Sequence, residues 1–369
     1  MRISVPTETA PREQRVALAP DSVTRLVKQL KLEVVVQRGA GLRAGFRDAM
    51  YESAGATIAA DAASTLGGSP IVAKVQPPSA DEIARIDAGA TLISLLRPGH
   101  SADVVKALSQ RKVTALALEL VPRITRAQSM DVLSSQSTVA GYKGVLVGAA
   151  ALGKFLPMLT TAAGNISPAK VFVIGAGVAG LQAIATARRL GGVVSAFDVR
   201  PAAREQVLSL GATFVANELV SASAEAAGGY ARSQTQEEQV NTLAAIGKHI
   251  PDQDLVVTTA QIPGRTAPTL ITAEMVATMR AGSVIVDLAA DTGGNCALSK
   301  PGETVQVHDV TIIAPSNLAA TVPFHASQMF GRNILELLKH IVKDGALVLE
   351  PSDEITGAMM MTHDGNILR

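Results

Sequence analysis

The chain has 369 residues, a length that suggests about two domains, each able to bury its own core. Hydrophobic residues make up 47% of the chain and aromatic residues only 3%, so aliphatic side chains must fill layers of strands and helices. The formal net charge of +1 and the scarcity of aromatic rings argue against nucleic acid as a partner.

Cys296 is the only cysteine, so no internal disulfide can form, and the first residues lack the charged and apolar regions of a secretory leader. We therefore expect a cytoplasmic protein. The longest uncharged stretch, residues 310–331, contains Pro315 and Pro323 and is not expected to span a bilayer.

Short runs of β-branched and aliphatic residues, bounded by turn residues, recur in the first third of the chain. They predict strands at residues 3–6, 34–37, 71–75, 91–96 and 113–118, with a helix at residues 21–30 between the first two. A second series predicts strands at residues 171–174, 193–197, 255–259, 283–287 and 311–314. Because strands and helices alternate, we predict an α/β fold with two Rossmann-like, doubly wound parallel-sheet domains separated by a cleft.

Two longer helices are expected between and after these series. Residues 139–155 have helical spacing and would connect the domains, and residues 330–342 carry an apolar helical face that must pack on another element. If the late helix returns to the first domain, that domain comprises residues 1–134 and 326–369, and the inserted domain comprises residues 135–325. Residues 222–239 are small and polar, which is typical of a lid loop.

Gly175, Gly177 and Gly180 have G-x-G-x-x-G spacing directly after a predicted strand and at the start of a predicted helix. The first glycine permits a tight turn, the second lets the backbone approach a pyrophosphate, and the third allows close packing of helix and strand. The phosphates would lie at the helix N-terminus, where free N–H groups favour negative charge. The alternative is a close-packed turn without a ligand. Asp198, at the end of the next predicted strand, favours a dinucleotide site.

Asp198 would accept the ribose hydroxyls of NAD and repel the 2′-phosphate of NADP. It could instead be an ordinary residue at a helix entrance, because Pro201 suits the first turn of a helix. Arg200 complicates the choice, since a nearby arginine can accommodate a 2′-phosphate. NAD is therefore the preferred cofactor.

A second polar cluster contains Arg123, Gln128, Asp131 and Ser134. The spacing from Gln128 onward would place an amide, a carboxylate and a hydroxyl on one helical face, able to hold a nicotinamide. Two structural explanations stay open. Thr125 and Gln128 match a capping box, or Asp131 pairs with Arg126 or Arg123 on the surface.

Arg15 and Lys74 each lie beside a predicted strand end, where they could anchor a carboxylate substrate or serve only as surface cations. The 6 histidines lack metal-ligand spacing and Cys296 has no second cysteine nearby, so we expect neither a metal site nor a nucleophilic triad. The methionines at residues 359–361 would be flexible, core filling or an adaptable partner surface.

Together these residues resemble the soluble NAD(H)-binding domain I, in the alpha subunit, of the proton-translocating NAD(P) transhydrogenases, which are related to alanine dehydrogenase. The resemblance covers nearly the whole chain. It is carried by PTETAPREQRVALAP, PRITRAQSMDVLSSQSTVAGYKGVL, the glycine motif with FDVR, TTAQIPGRTAPTLIT, VIVDLAADTGGN and THDGNI.

The resemblance implies that Arg123, Gln128, Asp131 and Ser134 contact the nicotinamide, with Ser129 and Met130 beside them. It also implies dinucleotide contacts at the glycine turn, at the end of the next strand, and in and beside a mobile loop. These residues are Gly175, Ala176, Gly177, Val178, Gly180, Asp198, Val199, Arg200, Gly229, Tyr230, Gln239 and Gln261. That family more usually has an apolar residue at position 261, so we expect a backbone contact there.

Alanine dehydrogenases carry a histidine in the motif that reads LLRPGH here, because reduction of a keto acid requires a proton donor beside the carbonyl. This chain has Arg97 at that place, with His100 shortly after it. Hydride exchange between two nicotinamides needs aligned rings but no acid or base, so the missing histidine fits a transhydrogenase. Against this, Arg15 and Lys74 are retained, and Asp291 stands where alanine dehydrogenases carry a catalytic aspartate.

We therefore predict an NAD(H)-binding subunit that transfers hydride from NADH to NADP⁺ on a partner beta subunit, coupled to proton translocation by a membrane subunit. The resemblance implies a homodimer, peripheral at the cytoplasmic face of the inner membrane. The alternatives are an NAD-dependent amino-acid dehydrogenase and a non-catalytic NAD-binding module. With 369 residues, we expect a separately encoded component of a larger enzyme, without the membrane segment that some relatives carry.

Overall fold

The computed structural model describes residues 1–220, 231–232, 234–261 and 265–369. The chain forms two compact units. Unit 1 comprises Met1–Gln136 and Ala319–Arg369, and unit 2 comprises Ser137–Leu318. Unit 1 is therefore discontinuous in sequence, because the chain leaves it, builds unit 2 and returns.

The helices and strands follow one another in three segments. The first contains β1 (Arg2–Val5), α1 (Pro20–Leu30), β2 (Glu33–Gln37), α2 (Asp48–Ser53), β3 (Thr57–Ala59), α3 (Ala62–Leu66), β4 (Ile71–Ala73), α4 (Ala80–Arg85), β5 (Thr91–Ser94), α5 (Ala102–Gln110) and β6 (Thr114–Ala117). After α6 (Val132–Ala151), the second contains β7 (Leu159–Thr161), β8 (Gly164–Ile166), β9 (Lys170–Ile174), α7 (Val178–Arg189), β10 (Val193–Phe197), α8 (Pro201–Ser209), β11 (Thr213–Phe214), α9 (Gln236–His249), β12 (Leu255–Thr258), α10 (Ala273–Thr278), β13 (Val284–Asp287), β14 (Thr304–Val307) and β15 (Val310–Ile313). The third contains α11 (Pro323–Ile341), β16 (Val342–Lys343), β17 (Ala346–Leu347), α12 (Thr356–Met359), β18 (Met360–His363) and β19 (Asn366–Ile367).

Each unit is built on one large, mainly parallel sheet. In unit 1 the strand order is β19–β18–β6–β5–β4–β1–β2–β3, with β18 antiparallel to both of its neighbours. In unit 2 the order is β11–β10–β9–β12–β13–β15–β14, with β14 antiparallel to β15. The order reverses between β1 and β4 and between β9 and β12, so both sheets are doubly wound. The prediction of an α/β fold with two such sheets is confirmed.

Both faces of the unit 2 sheet are covered, which explains why its strands are continuous apolar runs. In β9, Val171 and Val173 belong to one buried cluster, whereas Phe172 and Ile174 belong to the cluster on the opposite face. A doubly wound sheet of this kind leaves a crevice at the carboxyl ends of the strands on either side of the reversal, here β9 and β12. Ligands of doubly wound folds bind at this place.

Helix α6 begins at Val132, earlier than the predicted residues 139–155, and packs closely on unit 2 through its glycines. A Cβ on Gly141 would lie 2.1 Å from the carbonyl oxygen of Ala179 in α7. A Cβ on Gly148 would lie 2.5 Å from a methyl group of Leu255 in β12. These contacts need residues without side chains, so the glycines of α6 are packing residues.

In the C-terminal segment the structure extends one predicted helix and decides between the alternatives for the methionines. The late helix α11 is longer than the predicted residues 330–342, and it packs on α1 so closely that a Cβ on Gly331 would lie 2.9 Å from the Ser22 Oγ. The methionines at residues 359–361 are at most 3% exposed. They fill the core beside β6 and are not an adaptable partner surface, because pairing of β18 with β6 carries them inside.

Candidate functional site

The glycine turn between β9 and α7 has the geometry of a dinucleotide cradle. Gly175 follows β9 with φ +92°, a left-handed conformation that favours glycine. A Cβ on Gly180 would lie 1.8 Å from the carbonyl oxygen of Gly175, so only glycine permits this close packing of helix on turn. Gly177 precedes the first turn of α7, and the nearest group to a Cβ there would be an Arg200 nitrogen at 3.9 Å. The surface over Gly177 is therefore open to a phosphate.

Asp198, at the end of β10, is 7% exposed and faces this turn. The backbone N–H of Ala176 donates to its Oδ2 at 2.7 Å. Arg200 donates to its Oδ1 from the backbone N–H and from Nε, each at 2.9 Å, and to its Oδ2 from Nη2 at 2.8 Å. Asp198 is thus a positioned carboxylate at the glycine turn and not merely a residue at the entrance of α8.

The loops after β12 and β13 complete the crevice of unit 2. The Thr259 hydroxyl donates to the Gly175 carbonyl at 2.9 Å, which joins the loop after β12 to the glycine turn. The side chain of Asn295 accepts from the Ala260 N–H and donates to the Ala260 carbonyl, both at 2.9 Å. Gln261 donates to the Leu288 carbonyl at 3.2 Å, so its amide is already used within unit 2.

Buried Asp287 holds the loop after β13, and sequence analysis did not identify this role. Its Oδ1 accepts from Thr258 at 2.9 Å, and its Oδ2 accepts from the backbone N–H of Asn295 at 2.9 Å and from the Ser299 hydroxyl at 2.7 Å. A signal was present, because Asp287 is the only charged residue of strand β13. Asp287 and Asn295 are positioning residues for the loops around the cradle.

Further predicted contacts of unit 2 lie around these loops. Val178 is 38% exposed in the first turn of α7, and Gln239 is exposed in the first turn of α9. A cavity of about 180 Å³ lies beside Val199 and is lined by Leu219, Val220, Asn241 and Thr242, among others. Two further predicted contacts, Gly229 and Tyr230, lie outside the described residues.

The predicted nicotinamide loop lies in unit 1 and differs from the expected single helical face. A 3₁₀ turn, Thr125–Met130, ends before Asp131, and α6 begins after it. Gln128 and Ser134 therefore lie in different helices. Asp131 caps α6, because its Oδ1 accepts from the Ser134 N–H at 2.9 Å and its Oδ2 from the Ser134 hydroxyl at 2.6 Å.

The capping-box explanation for this loop is wrong, and so is the pairing of Asp131 with Arg126. Residue 124 caps the 3₁₀ turn without a side-chain hydrogen bond, so Thr125 does not begin a capping box. Arg126 pairs with exposed Glu354 at 2.9 Å, so it is engaged away from Asp131. Arg123, Gln128 and Ser129 are exposed, whereas Met130 is buried in the unit 1 core. The carbonyl of Ser129 accepts from Asn333 of α11 at 2.7 Å, which fixes the loop.

Arg15 and Lys74 are buried in unit 1, 3% and 0% exposed, so the expectation of surface cations is wrong. Arg15 donates to both oxygens of Glu13, from Nε at 2.9 Å and Nη2 at 2.7 Å. Lys74 lies 2.7 Å from Glu82 and 3.4 Å from Glu8. Sequence reasoning overlooked these carboxylates. They form ion pairs with the two cations that a carboxylate substrate would need.

The carboxylates of this ionic cluster differ in pKa. Burial raises the pKa of Glu13, but hydrogen bonds and charge from Arg15, with Gln76, outweigh it and hold the pKa at about 2. Burial raises the pKa of Glu8 and exceeds the opposing effects of Lys74 and of two backbone N–H groups. Glu13 therefore remains ionised at neutral pH.

The two residues that bear on the choice between a dehydrogenase and a transhydrogenase, Arg97 and Asp291, both form hydrogen bonds within the chain. Arg97 has φ +50° and donates from Nη2 to Gln76 at 2.9 Å. Asp291, in unit 2, accepts from the Ser316 hydroxyl at 2.7 Å and from the Asn317 N–H at 3.3 Å.

Within the ranges that the structure describes, no helix meets the length and hydropathy that a bilayer span requires.

Comparison with known proteins agrees with this geometry. The family model described as "Alanine dehydrogenase/PNT, N-terminal domain" matches residues 4–140, and "Alanine dehydrogenase/PNT, C-terminal domain" matches residues 144–369. The chain is 47% identical to a protein of Rhodospirillum rubrum named as the first portion of the NAD(P) transhydrogenase alpha subunit, over 100% of this chain and 98% of that protein. It is 42% identical to "NAD(P) transhydrogenase subunit alpha" of Cereibacter sphaeroides, over 100% of this chain and 71% of that protein.

Two solved structures are similar over the full length. The transhydrogenase of Sinorhizobium meliloti has a TM-score of 0.91 and 44% sequence identity, covering 100% of both chains. An L-alanine dehydrogenase has a TM-score of 0.81 and 26% identity, covering 100% of this chain and 97% of that one. The similarity to the transhydrogenase is the greater in both measures.

Proposed function

The chain belongs to the alanine dehydrogenase/PNT family, and we propose that within it this protein is the NAD(H)-binding alpha subunit of a proton-translocating NAD(P) transhydrogenase. The observation that carries the proposal is the cradle of unit 2, in which the backbone at Gly177 is open and the neighbouring Ala176 N–H donates to the carboxylate of Asp198. Backbone, glycine and carboxylate are the groups that a dinucleotide needs.

The residues of unit 2 have separate tasks in holding NAD(H). Gly177 lets the pyrophosphate approach the free N–H groups at the start of α7. Asp198 accepts the ribose hydroxyls, and Val199 beside it lines a cavity of about 180 Å³. The other proposed contacts from the described residues of unit 2 are Gly175, Ala176, Val178, Gly180, Arg200, Gln239 and Gln261.

The loop at residues 123–134 would hold the nicotinamide end. Arg123, Gln128, Asp131 and Ser134 supply a guanidinium, an amide, a carboxylate and a hydroxyl on a segment fixed by α11. These groups orient a ring and neither give nor take a proton. When bound, NADH supplies a hydride to NADP⁺ on the partner subunit.

The residue at position 97 distinguishes this proposal from keto-acid reduction. Arg97 stands where a dehydrogenase carries a histidine, so the proton donor that keto-acid reduction requires is missing at this position. Hydride exchange between nicotinamides transfers no proton, so such a site must only align the rings and exclude water.

The subunit requires partners, because hydride exchange needs a second bound nucleotide. We propose an NADP-binding beta subunit and a membrane subunit, which couples hydride transfer to proton translocation. The relatives named subunit alpha support this assembly, since the name implies further subunits. A homodimer, located peripherally at the cytoplasmic face of the inner membrane, completes the proposal.

The direct test mixes this chain with an NADP-binding partner domain. Reduction of an oxidised NAD analogue by NADPH is followed in the mixture and with each component alone. We expect acceleration only in the mixture, because only there can two nicotinamides meet. A rate in the mixture that does not exceed the rates of the components would contradict the assignment.

An amino-acid dehydrogenase is the second candidate, favoured by the retained Arg15, Lys74 and Asp291. It predicts that the isolated chain oxidises NADH in the presence of pyruvate and ammonia. We expect no such turnover, because the ionic cluster of unit 1 already neutralises both cations. A non-catalytic NAD-binding module, the third candidate, would bind NADH and show no turnover in either assay.

A further inference from the structure

The side chain of Arg200 lies on the carboxylate that is proposed to bind the ribose. Arg200 is the residue before helix α8, and its side chain is 17% exposed. Its guanidinium is also the nearest group over Gly177, at 3.9 Å from the Cβ position. One arginine therefore lies at both the ribose and the phosphate positions of the cradle.

The acceptor positions of Asp198 are all in use. A carboxylate offers about four lone-pair positions, two on each oxygen. Oδ1 accepts from the backbone N–H and from Nε of Arg200, and Oδ2 accepts from the Ala176 N–H and from Nη2 of Arg200. A ribose hydroxyl can therefore bind only where an existing donor leaves.

The two backbone donors are fixed by the chain, whereas the two side-chain donors can move. The guanidinium fork takes one position on each oxygen, at 2.9 Å and 2.8 Å. The vicinal diol of a ribose presents two donors of the same kind and would take the same two positions. The fork thus occupies the two positions that the ribose diol would take.

We propose that Arg200 is a specificity-determining residue whose guanidinium competes with the ribose diol for Asp198. This inference rests on the proposed function, because it places the cofactor ribose at Asp198. Ribose binding exchanges one pair of hydrogen bonds for another and so gains little net affinity. The displaced cation remains near the site and softens the repulsion between Asp198 and a 2′-phosphate.

The test compares ADP with 2′-deoxy-ADP, which differ only in one ribose hydroxyl, by calorimetric titration of the full chain. In the wild type the 2′-hydroxyl should contribute little to the affinity for ADP, so the two ligands should bind almost equally well. In Arg200→Ala the positions on Asp198 are vacant, so preference for ADP should rise by about tenfold, the value of one hydrogen bond to a charged acceptor. Loss of a phosphate contact by Arg200 would weaken both ligands equally and leave their ratio unchanged.

NADH and NADPH provide a second readout. Arg200→Ala leaves Asp198 without the neighbouring cation, so the preference for NADH over NADPH should widen. Arg200→Lys keeps the positive charge but removes the two-pronged guanidinium. It should raise the preference for ADP over 2′-deoxy-ADP and change the preference for NADH over NADPH less than Arg200→Ala does. Arg189→Ala, at the exposed end of α7, removes the same charge elsewhere and should leave both ratios at the wild-type value.

The outcomes separate the inference from the function on which it rests. If the wild type binds neither NADH nor ADP, the proposed function fails and this inference fails with it. If the wild type binds both, and folded Arg200→Ala shows the wild-type ratio of ADP to 2′-deoxy-ADP affinity, the competition by Arg200 alone is overturned.

Discussion

Asp131 lies between a 3₁₀ turn and helix α6, where it accepts both the N–H and the hydroxyl of Ser134. These contacts give the residue a structural role as the cap of α6, and its proposed nicotinamide contact is a separate role. A single substitution can distinguish them, because asparagine caps a helix about as well as aspartate but carries no charge.

Asp131→Asn should keep the free energy of unfolding within about 0.5 kcal/mol of the wild type and lower the hydride-exchange rate by about tenfold. The rate is measured with the NADP-binding partner domain and the stability by urea unfolding. Asp131→Ala, which removes the cap, should also cost about 1 kcal/mol of stability. An unchanged exchange rate and NADH affinity in Asp131→Asn would assign the residue to capping alone.

Asp198→Asn tests the ribose acceptor. The amide keeps one oxygen but turns an N–H₂ group toward donors such as the Ala176 N–H, so it loses acceptors and the charge that repels a 2′-phosphate. NADH affinity should fall by less than about tenfold, because the ribose only replaces Arg200 on Asp198 in the wild type, and the preference for NADH over NADPH should narrow. Titration with both nucleotides gives the ratio, and equal discrimination before and after the change would remove the assigned role.

At the scale of elements, the two glycines around the start of α7 are not equivalent. A methyl on Gly180 would meet the Gly175 carbonyl at 1.8 Å, whereas a methyl on Gly177 would meet nothing nearer than 3.9 Å. Gly177 also has φ −77°, which alanine adopts readily. One glycine is therefore required by the packing of α7 on its own turn, and the other is free for ligand approach.

Gly180→Ala should destabilise the chain by about 1–3 kcal/mol or more and abolish NADH binding, because β9 and α7 must separate. Gly177→Ala should fold with a loss of no more than about 1 kcal/mol but bind NADH at least about tenfold more weakly, since the methyl occupies the phosphate approach. Thermal unfolding and NADH titration of the pair check this. If the two variants lose stability equally, the distinction between the glycines is wrong.

The elements that sequence analysis identified well are those whose signal is local. Strand β9, the glycine turn and the position of Asp198 follow from an apolar run, a glycine spacing and a carboxylate at a strand end. The prediction of a single helical face over residues 128–134 was wrong, because Asp131 caps a new helix that begins within this segment. The path of β18 beside β6 was not visible, since pairing of distant segments leaves no periodic pattern in either of them.

At the scale of the whole molecule, unit 1 depends on segments that are distant in sequence. Helix α11 packs on α1, and its Asn333 holds the loop at Ser129. The ionic cluster joins the segment after β1 to β4 and α6, because Arg15 also donates to Gln136 at 2.8 Å. Sequence reasoning found Arg15 and Lys74 but gave no indication of their burial, since the carboxylates that pair with them look like ordinary surface residues.

The ionic cluster makes the stability of unit 1 depend on pH. Folding lowers the pKa of Glu13 from 4.5 to about 2, so the unfolded chain takes up this proton first as the pH falls. The stabilisation by Glu13 is therefore complete above pH 4.5 and is lost progressively as the pH falls toward about 2. Glu8, whose pKa is raised, acts in the opposite direction and stabilises most at low pH.

Glu13→Gln should cost about 3–5 kcal/mol at neutral pH, because it removes the carboxylate that pairs with buried Arg15, and it should flatten the decline in stability between pH 4.5 and about 2. Urea unfolding at neutral pH and through this acid range measures both effects. Glu354→Gln makes the same chemical change in the exposed pair with Arg126 and should cost at most about 1 kcal/mol. Similar losses in the two variants, or an acid decline that persists unchanged in Glu13→Gln, would show that the cluster does not govern the stability of unit 1.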